Sequence, residues 1–134
     1  MILEEVTSLS TRFDELFNTA VEHYYKTSAT QQDVPKEYAL SVWYEMCDYS
    51  NSVYLKDKST GAELFCVYKA GQYSPHYVGE GLTVIAMFST SYSTKLYRTL
   101  HRFLISKAKE FECTWLNTNH KVREGVYEDK YKRI

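Results

Sequence analysis

Seven consecutive residues, Leu82-Thr83-Val84-Ile85-Ala86-Met87-Phe88, carry one hydroxyl and no charge. A strand with one wet face alternates polar and apolar side chains, so so uniform a run predicts a strand buried at the middle of a sheet. The run is far short of the roughly 20 apolar residues that span a bilayer, which argues against a transmembrane helix and a membrane partner. Leu96, Leu100, Phe103, Leu104, Ala108 and Phe111 then return to helical spacing, predicting a helix of about four turns that ends at Glu112. Cys113-Thr114-Trp115-Leu116 reads as a short strand. A strand–helix–strand unit pairs most simply in parallel through a right-handed crossover, so this strand is expected beside Leu82–Phe88.

Upstream, Phe13, Leu16, Phe17, Ala20, Val21 and Tyr24 form one apolar stripe at helical spacing, with Ser10 or Thr11 as cap and Asp14 in the first turn. Thr27–Gln32 is a polar break. Asp33-Val34-Pro35 reads as a cap followed by a first-turn proline, and Ala39, Val42, Trp43 and Met46 predict a second amphipathic helix ending near Tyr49–Asn51. From Ser52 the period becomes that of strands. Val53 and Leu55, the turn Asp57-Lys58-Ser59-Thr60-Gly61 and the stretch Leu64–Tyr68 predict a hairpin, closed by Ala70-Gly71-Gln72 and Ser74-Pro75. A longer strand follows over Tyr77–Phe88, with Gly79 and Gly81 marking a bulge or kink, and Val126–Ile134 reads as a last strand. The expected class is α/β in the wider sense, an α+β mixed sheet in a single domain over residues 1–134.

Composition narrows the setting. Apolar residues make up 44% and charged residues 25%, so a disordered chain is excluded. Met1-Ile2-Leu3-Glu4-Glu5 carries acids where a secretory signal carries bases, and Cys47, Cys66 and Cys113 are odd in number without a C-x-x-C. Both point to a reducing, cytoplasmic location. Residues 1–94 hold six Lys/Arg against twelve Asp/Glu, whereas residues 95–134 hold ten against five. The basic end could attract a phosphate-bearing or acidic partner, or could simply be a solvated face.

The order helix, helix, hairpin, long strand, helix, strand, tail resembles the GNAT superfamily of N-acetyltransferase-like proteins over nearly the whole chain. Two segments carry the likeness. Tyr92-Ser93-Thr94-Lys95-Leu96-Tyr97-Arg98-Thr99-Leu100 stands where the family has an aromatic residue, a basic glycine-rich turn and a helix, and Asn117 or Asn119 with Tyr127-Glu128-Asp129-Lys130 is similar to the family's late Asn and Tyr segment. The resemblance implies an acyl-CoA site. Backbone amides of Met87, Phe88 and Ser89 would polarise the thioester carbonyl, Ser93, Thr94 and Lys95 would cradle the phosphates, Tyr127 would protonate the thiolate, and Glu80 or a water it holds would be the base.

The chain also departs from the family. Both glycines of the R/Q-x-x-G-x-G/A turn are missing, and Tyr131 directly follows Lys130 where a Gly-aromatic pair is usual. Side chains in that turn narrow the approach of backbone to phosphate. The expectation is therefore a non-catalytic interaction or structural protein on a GNAT-like scaffold, needing no cofactor and meeting a protein partner through its tyrosines. Virus-encoded proteins, including acyltransferase-like components of tailed-phage particles, are similar in size and in loss of the turn, which extends the expected location to a host cytoplasm or a virion. The alternative is an acetyl-CoA-dependent N-acetyltransferase acting on an amine.

Each candidate also has an ordinary reading. Glu80 could be a plain exposed carboxylate and Tyr127 a packed ring. Lys95, Arg98, Arg102 and Lys109 share one side of their helix, which could meet a CoA phosphate or be a solvated face. Lys121, Arg123, Lys130, Lys132 and Arg133 interleave with His120, Tyr127 and Tyr131 in a mixture suited to single-stranded nucleic acid, a minor reading without an accompanying motif. His23, His76, His101 and His120 have no metal-ligand spacing, so no metal site is expected.

Overall fold

A computed structural model describes residues 1–8, 10–27, 34–123 and 126–134, with the side chains of 120–123 left aside. The elements are β1 (Ile2–Val6), α1 (Thr11–Thr27), α2 (Lys36–Met46), β2 (Asn51–Lys56), β3 (Glu63–Ser74), β4 (Tyr77–Ser89), α3 (Thr94–Glu110), β5 (Trp115–Arg123) and β6 (Val126–Arg133). The strands form one sheet in sequence order. All neighbours pair antiparallel except β4 and β5, which are parallel and joined through α3. The fold is α+β, as the sequence predicts, and no described helix is long and apolar enough to cross a membrane.

Helices cover both faces of the sheet. Phe13, Phe17 and Val21 of α1 lie one turn apart and pack with Tyr54, Phe65, Val67, Ala86 and Phe88, while α2 adds Leu40, Trp43 and Tyr44, and its C-cap Cys47, to that layer. On the other face, Leu96, Leu100, Leu104 and Ala108 of α3 pack on Leu55, Leu64, Cys66, Leu82, Val84 and Leu116. Burying each such aliphatic or aromatic side chain is worth about 1.5–3 kcal/mol, so the two layers dominate the stability. Of the two cap candidates for α1, Ser10 does the capping: its Oγ accepts the Phe13 amide at 3.1 Å.

The buried run of β4 contains a device its uniform composition hides. Val67 pairs with Ala86 and the next residue, Tyr68, pairs with Val84, so Ile85 is an extra residue on β4. The bulge places Ile85 and Ala86 together on the α1/α2 side, between Val84 and Met87 on the α3 side.

Several expectations need correction. A strand, β1, precedes the first helix; its Ile2 and Leu3 are largely exposed, so it carries no clear alternation. The apolar stripe of α2 is rotated: Val42 and Met46 face solvent, and Leu40, Tyr44 and Cys47 take their place beside Ala39 and Trp43. β3 does not close at Ala70 but continues through irregular pairing to Ser74. Phe111 is exposed past the end of α3, where Glu112 adopts a left-handed φ of 58°. Asp33 and residues 28–32 of the polar break lie outside the described residues.

Candidate functional site

β4 and β5 share only three registered pairs, Gly81–Trp115, Leu82–Leu116 and Thr83–Asn117. Beyond Thr83 and Asn117 the two strands part. Into that gap α3 presents Tyr97, Leu100, His101 and Leu104, and with Val84, Met87, Asn119 and Lys130 they line a cleft of about 250 Å³. At the joined end, Gly81 is required by close approach: a Cβ there would lie 2.1 Å from the Trp115 indole. The indole Nε1 donates to the Gly79 carbonyl at 3.0 Å, and Tyr77 and Tyr131 flank the ring, with centroids 6.1 and 5.9 Å away.

Backbone direction on β4 follows from one bond. The Thr90 amide donates to the Glu63 carbonyl at 3.0 Å, across to β3. By the period of two, the amide of Phe88 faces β3 while those of Met87 and Ser89 face away from it, toward the side where β5 has departed. The three residues are thus split: the Phe88 ring is buried against Tyr24 and Trp43 on the opposite layer.

The turn into α3 is filled by side chains. Ser93 is the cap and its Oγ accepts the Leu96 amide at 3.3 Å, which leaves Thr94 and Lys95 as the exposed first turn of the helix. The hydroxyls of Ser89 and Tyr97 lie 3.2 Å apart, and the Tyr92 ring tilts over that of Tyr97 at 5.6 Å.

Of the two catalytic candidates, Glu80 lies far down β4, whereas Tyr127 meets Tyr24, the ring that packs on Phe88. Glu80 accepts a bond from the Tyr73 hydroxyl at 2.9 Å, and seven residues of strand, roughly 23 Å, separate it from Met87. Tyr127 lies on β6, and its hydroxyl is 3.2 Å from that of Tyr24 on α1. Asn117 is buried at the fork and donates to the Lys130 carbonyl at 3.3 Å, and Asn119 donates to Asp129 at 3.1 Å. Beside the fork a basic groove is lined by His101, Arg102, Ile105, Ser106, Lys109 and Lys132; Lys132 Nζ is 3.3 Å from His101 Nε2. The side chains of His120, Lys121 and Arg123 lie outside the described residues.

No known family model, curated protein or solved structure matches this chain. Among the described residues no group of His, Cys, Asp and Glu could hold a metal ion.

A second and larger cleft, about 410 Å³, lies under α1 on the other face. Leu16, Ala20, Phe65 and Phe88 form its apolar part, and Arg12, Glu15, His23 and Glu63 its charged and polar rim. Arg12 is held by both carboxylate oxygens of Glu4, at 3.0 and 3.2 Å, and sits 5.2 Å above the Tyr54 ring. Burial, and then a hydrogen bond to Glu63, push the Tyr54 phenol up to about 12. Nothing in the motifs marks this cleft, yet Arg12, Glu15, Thr19 and His23 recur at helical spacing as the polar counterpart of the α1 core stripe, a signal readable in the sequence.

Proposed function

We propose that the chain is a non-catalytic interaction protein built on a GNAT-like scaffold, acting in a cytoplasmic or virion setting. The observation that carries this reading is the filled turn before α3. Where the GNAT resemblance calls for bare glycine backbone against a diphosphate, Ser93 already occupies the Leu96 amide and the Tyr97 and Ser89 hydroxyls meet across the entrance. These residues do not fit the acyl-CoA phosphates. The separation of Glu80 from Met87–Ser89 further supports the reading, because a general base must reach the proton it removes.

The outer side of α2 supplies a contact surface. Tyr38, Val42 and Met46, at i, i+4 and i+8, are 64%, 37% and 44% exposed, and Tyr49, just past the end of the helix, is 90% exposed. Apolar groups at that spacing suit a protein partner that lays a complementary apolar ridge along the helix, with tyrosine supplying area and a polar tip.

The parting of β4 and β5 favours a second reading, an acetyl-CoA-dependent N-acetyltransferase. The outward amides of Met87 and Ser89 would polarise an acyl carbonyl in the cleft, and Ser93 and Tyr97 would have to yield. Calorimetric titration with acetyl-CoA and with CoA separates the two. Absence of binding by either supports the interaction reading; saturable binding at micromolar strength overturns it in favour of the enzyme.

A further inference from the structure

The cleft under α1 is independent of the acyl-CoA question, since it lies on the opposite face of the sheet from α3. Its size falls in the range of small-molecule sites, about 300–1,000 Å³. Its charge is one-sided. Among the described residues its rim holds two carboxylates, Glu15 and Glu63, against one arginine, Arg12, which Glu4 engages through two bonds and Glu15 through a longer ion pair at 3.9 Å. Glu4 thus takes the better geometry on Arg12, and Glu63, which forms no ion pair within 4 Å among the described residues although Lys56 stands opposite it in the β2–β3 register, is left as an acceptor beside the apolar floor. A carboxylate held at the edge of an apolar surface discriminates strongly by charge, because an anion there would be both repelled and desolvated.

We infer that this cleft binds an organic cation: a primary ammonium group carried on an apolar or aromatic body. The body lies on Leu16, Ala20, Phe65 and Phe88, and the ammonium donates to Glu63 with Glu15 as the second acceptor. The hydroxyls of Thr19 and Thr90 complete the polar rim and take the remaining ammonium protons directly or through water.

The test is an amide NMR titration of the full chain with phenethylamine, compared with phenethyl alcohol and hydrocinnamate as neutral and anionic counterparts. The amine is expected to give saturable shifts at Thr19, His23, Ser89 and Thr90, with the alcohol at least about tenfold weaker, as loss of a charge-assisted bond requires. Hydrocinnamate should not bind. Glu63→Gln should weaken the amine about tenfold; if that chain does not fold, Glu15→Gln on the exposed side of α1 is read instead, with a smaller loss in the same direction. Equal binding of the three compounds, absence of saturation by the amine, or amine binding indifferent to the carboxylate substitution would each overturn the inference.

Discussion

Replacing Gly81 by Ala tests whether the sheet is joined at its fork in the way described. The new methyl carbon would sit 2.1 Å from two atoms of the Trp115 indole, a ring that is almost wholly buried. Carbon atoms rest about 3.5–4.0 Å apart, so the ring must retreat by roughly 1.5 Å. Retreat breaks the Nε1 bond to the Gly79 carbonyl, at about 1 kcal/mol. Overpacking adds about 1–3 kcal/mol. Gly81 does not have a positive φ, so the backbone accepts alanine, and the stiffer unfolded chain returns about 0.4–1 kcal/mol. The net cost is about 1–3.5 kcal/mol, and for a chain of this length Tm should fall by roughly 4–14 °C. Thermal unfolding followed by circular dichroism and indole fluorescence reads both effects. In a Trp115→Ala background the clash is gone, and Gly81→Ala should be neutral or slightly stabilising. If the two substitutions instead add, the ring does not rest on Gly81 and the reasoning fails.

Three other outcomes are expected. Tyr54 and Tyr68, each raised to about 12 chiefly by burial, should ionise after the exposed tyrosines in an ultraviolet titration. Their folded values lie above the unfolded one near 10, so the folded state holds the extra protons between the two, and the stability they contribute is complete below about pH 10 and is lost as pH rises toward 12; stability unchanged across that window would contradict this. Burial also raises the thiols of Cys47 to about 11 and Cys66 to about 12, and Cys113 is buried, so an aromatic disulfide reagent at pH 8 should react with the native chain only at its opening rate and with three thiols at once on unfolding. Ser93→Ala should destabilise by about 1 kcal/mol and Ser93→Gly by only a few tenths in denaturant melts, because the cap bond to Leu96 is lost in both but glycine leaves the end of the helix open to water.

The parts of the fold legible in the sequence were those where periodicity and burial agree. The stripe Phe13, Phe17, Val21 and the pairing of Leu82–Phe88 beside Leu116 follow from pattern alone. The bulge at Ile85 does not, since every residue around it is apolar and a shift of one leaves the composition unchanged. The rotation of α2 was hidden for the opposite reason: Val42 and Met46 look like core, and only the solvent-facing side they share with Tyr38 shows that they are not. At the candidate site, proximity in sequence was a fair guide for Ser89 and Tyr97, whose hydroxyls meet, and for Ser93, which caps the helix that carries Tyr97. It could not foresee that Glu80 would lie far down the same strand and bond Tyr73, or that Tyr127 would find Tyr24 across the fold.

β6 carries one further consequence. All eight of its residues are exposed, and five of them, Glu128, Asp129, Lys130, Lys132 and Arg133, are charged. The opposite edge, β1, is only five residues long and carries Glu4 and Glu5. A strand arriving from another molecule would have to bury mixed charges at one border and a pair of acids at the other. Both borders therefore discourage growth, and the sheet ends at six strands instead of templating the stacking of further chains as the protein becomes concentrated.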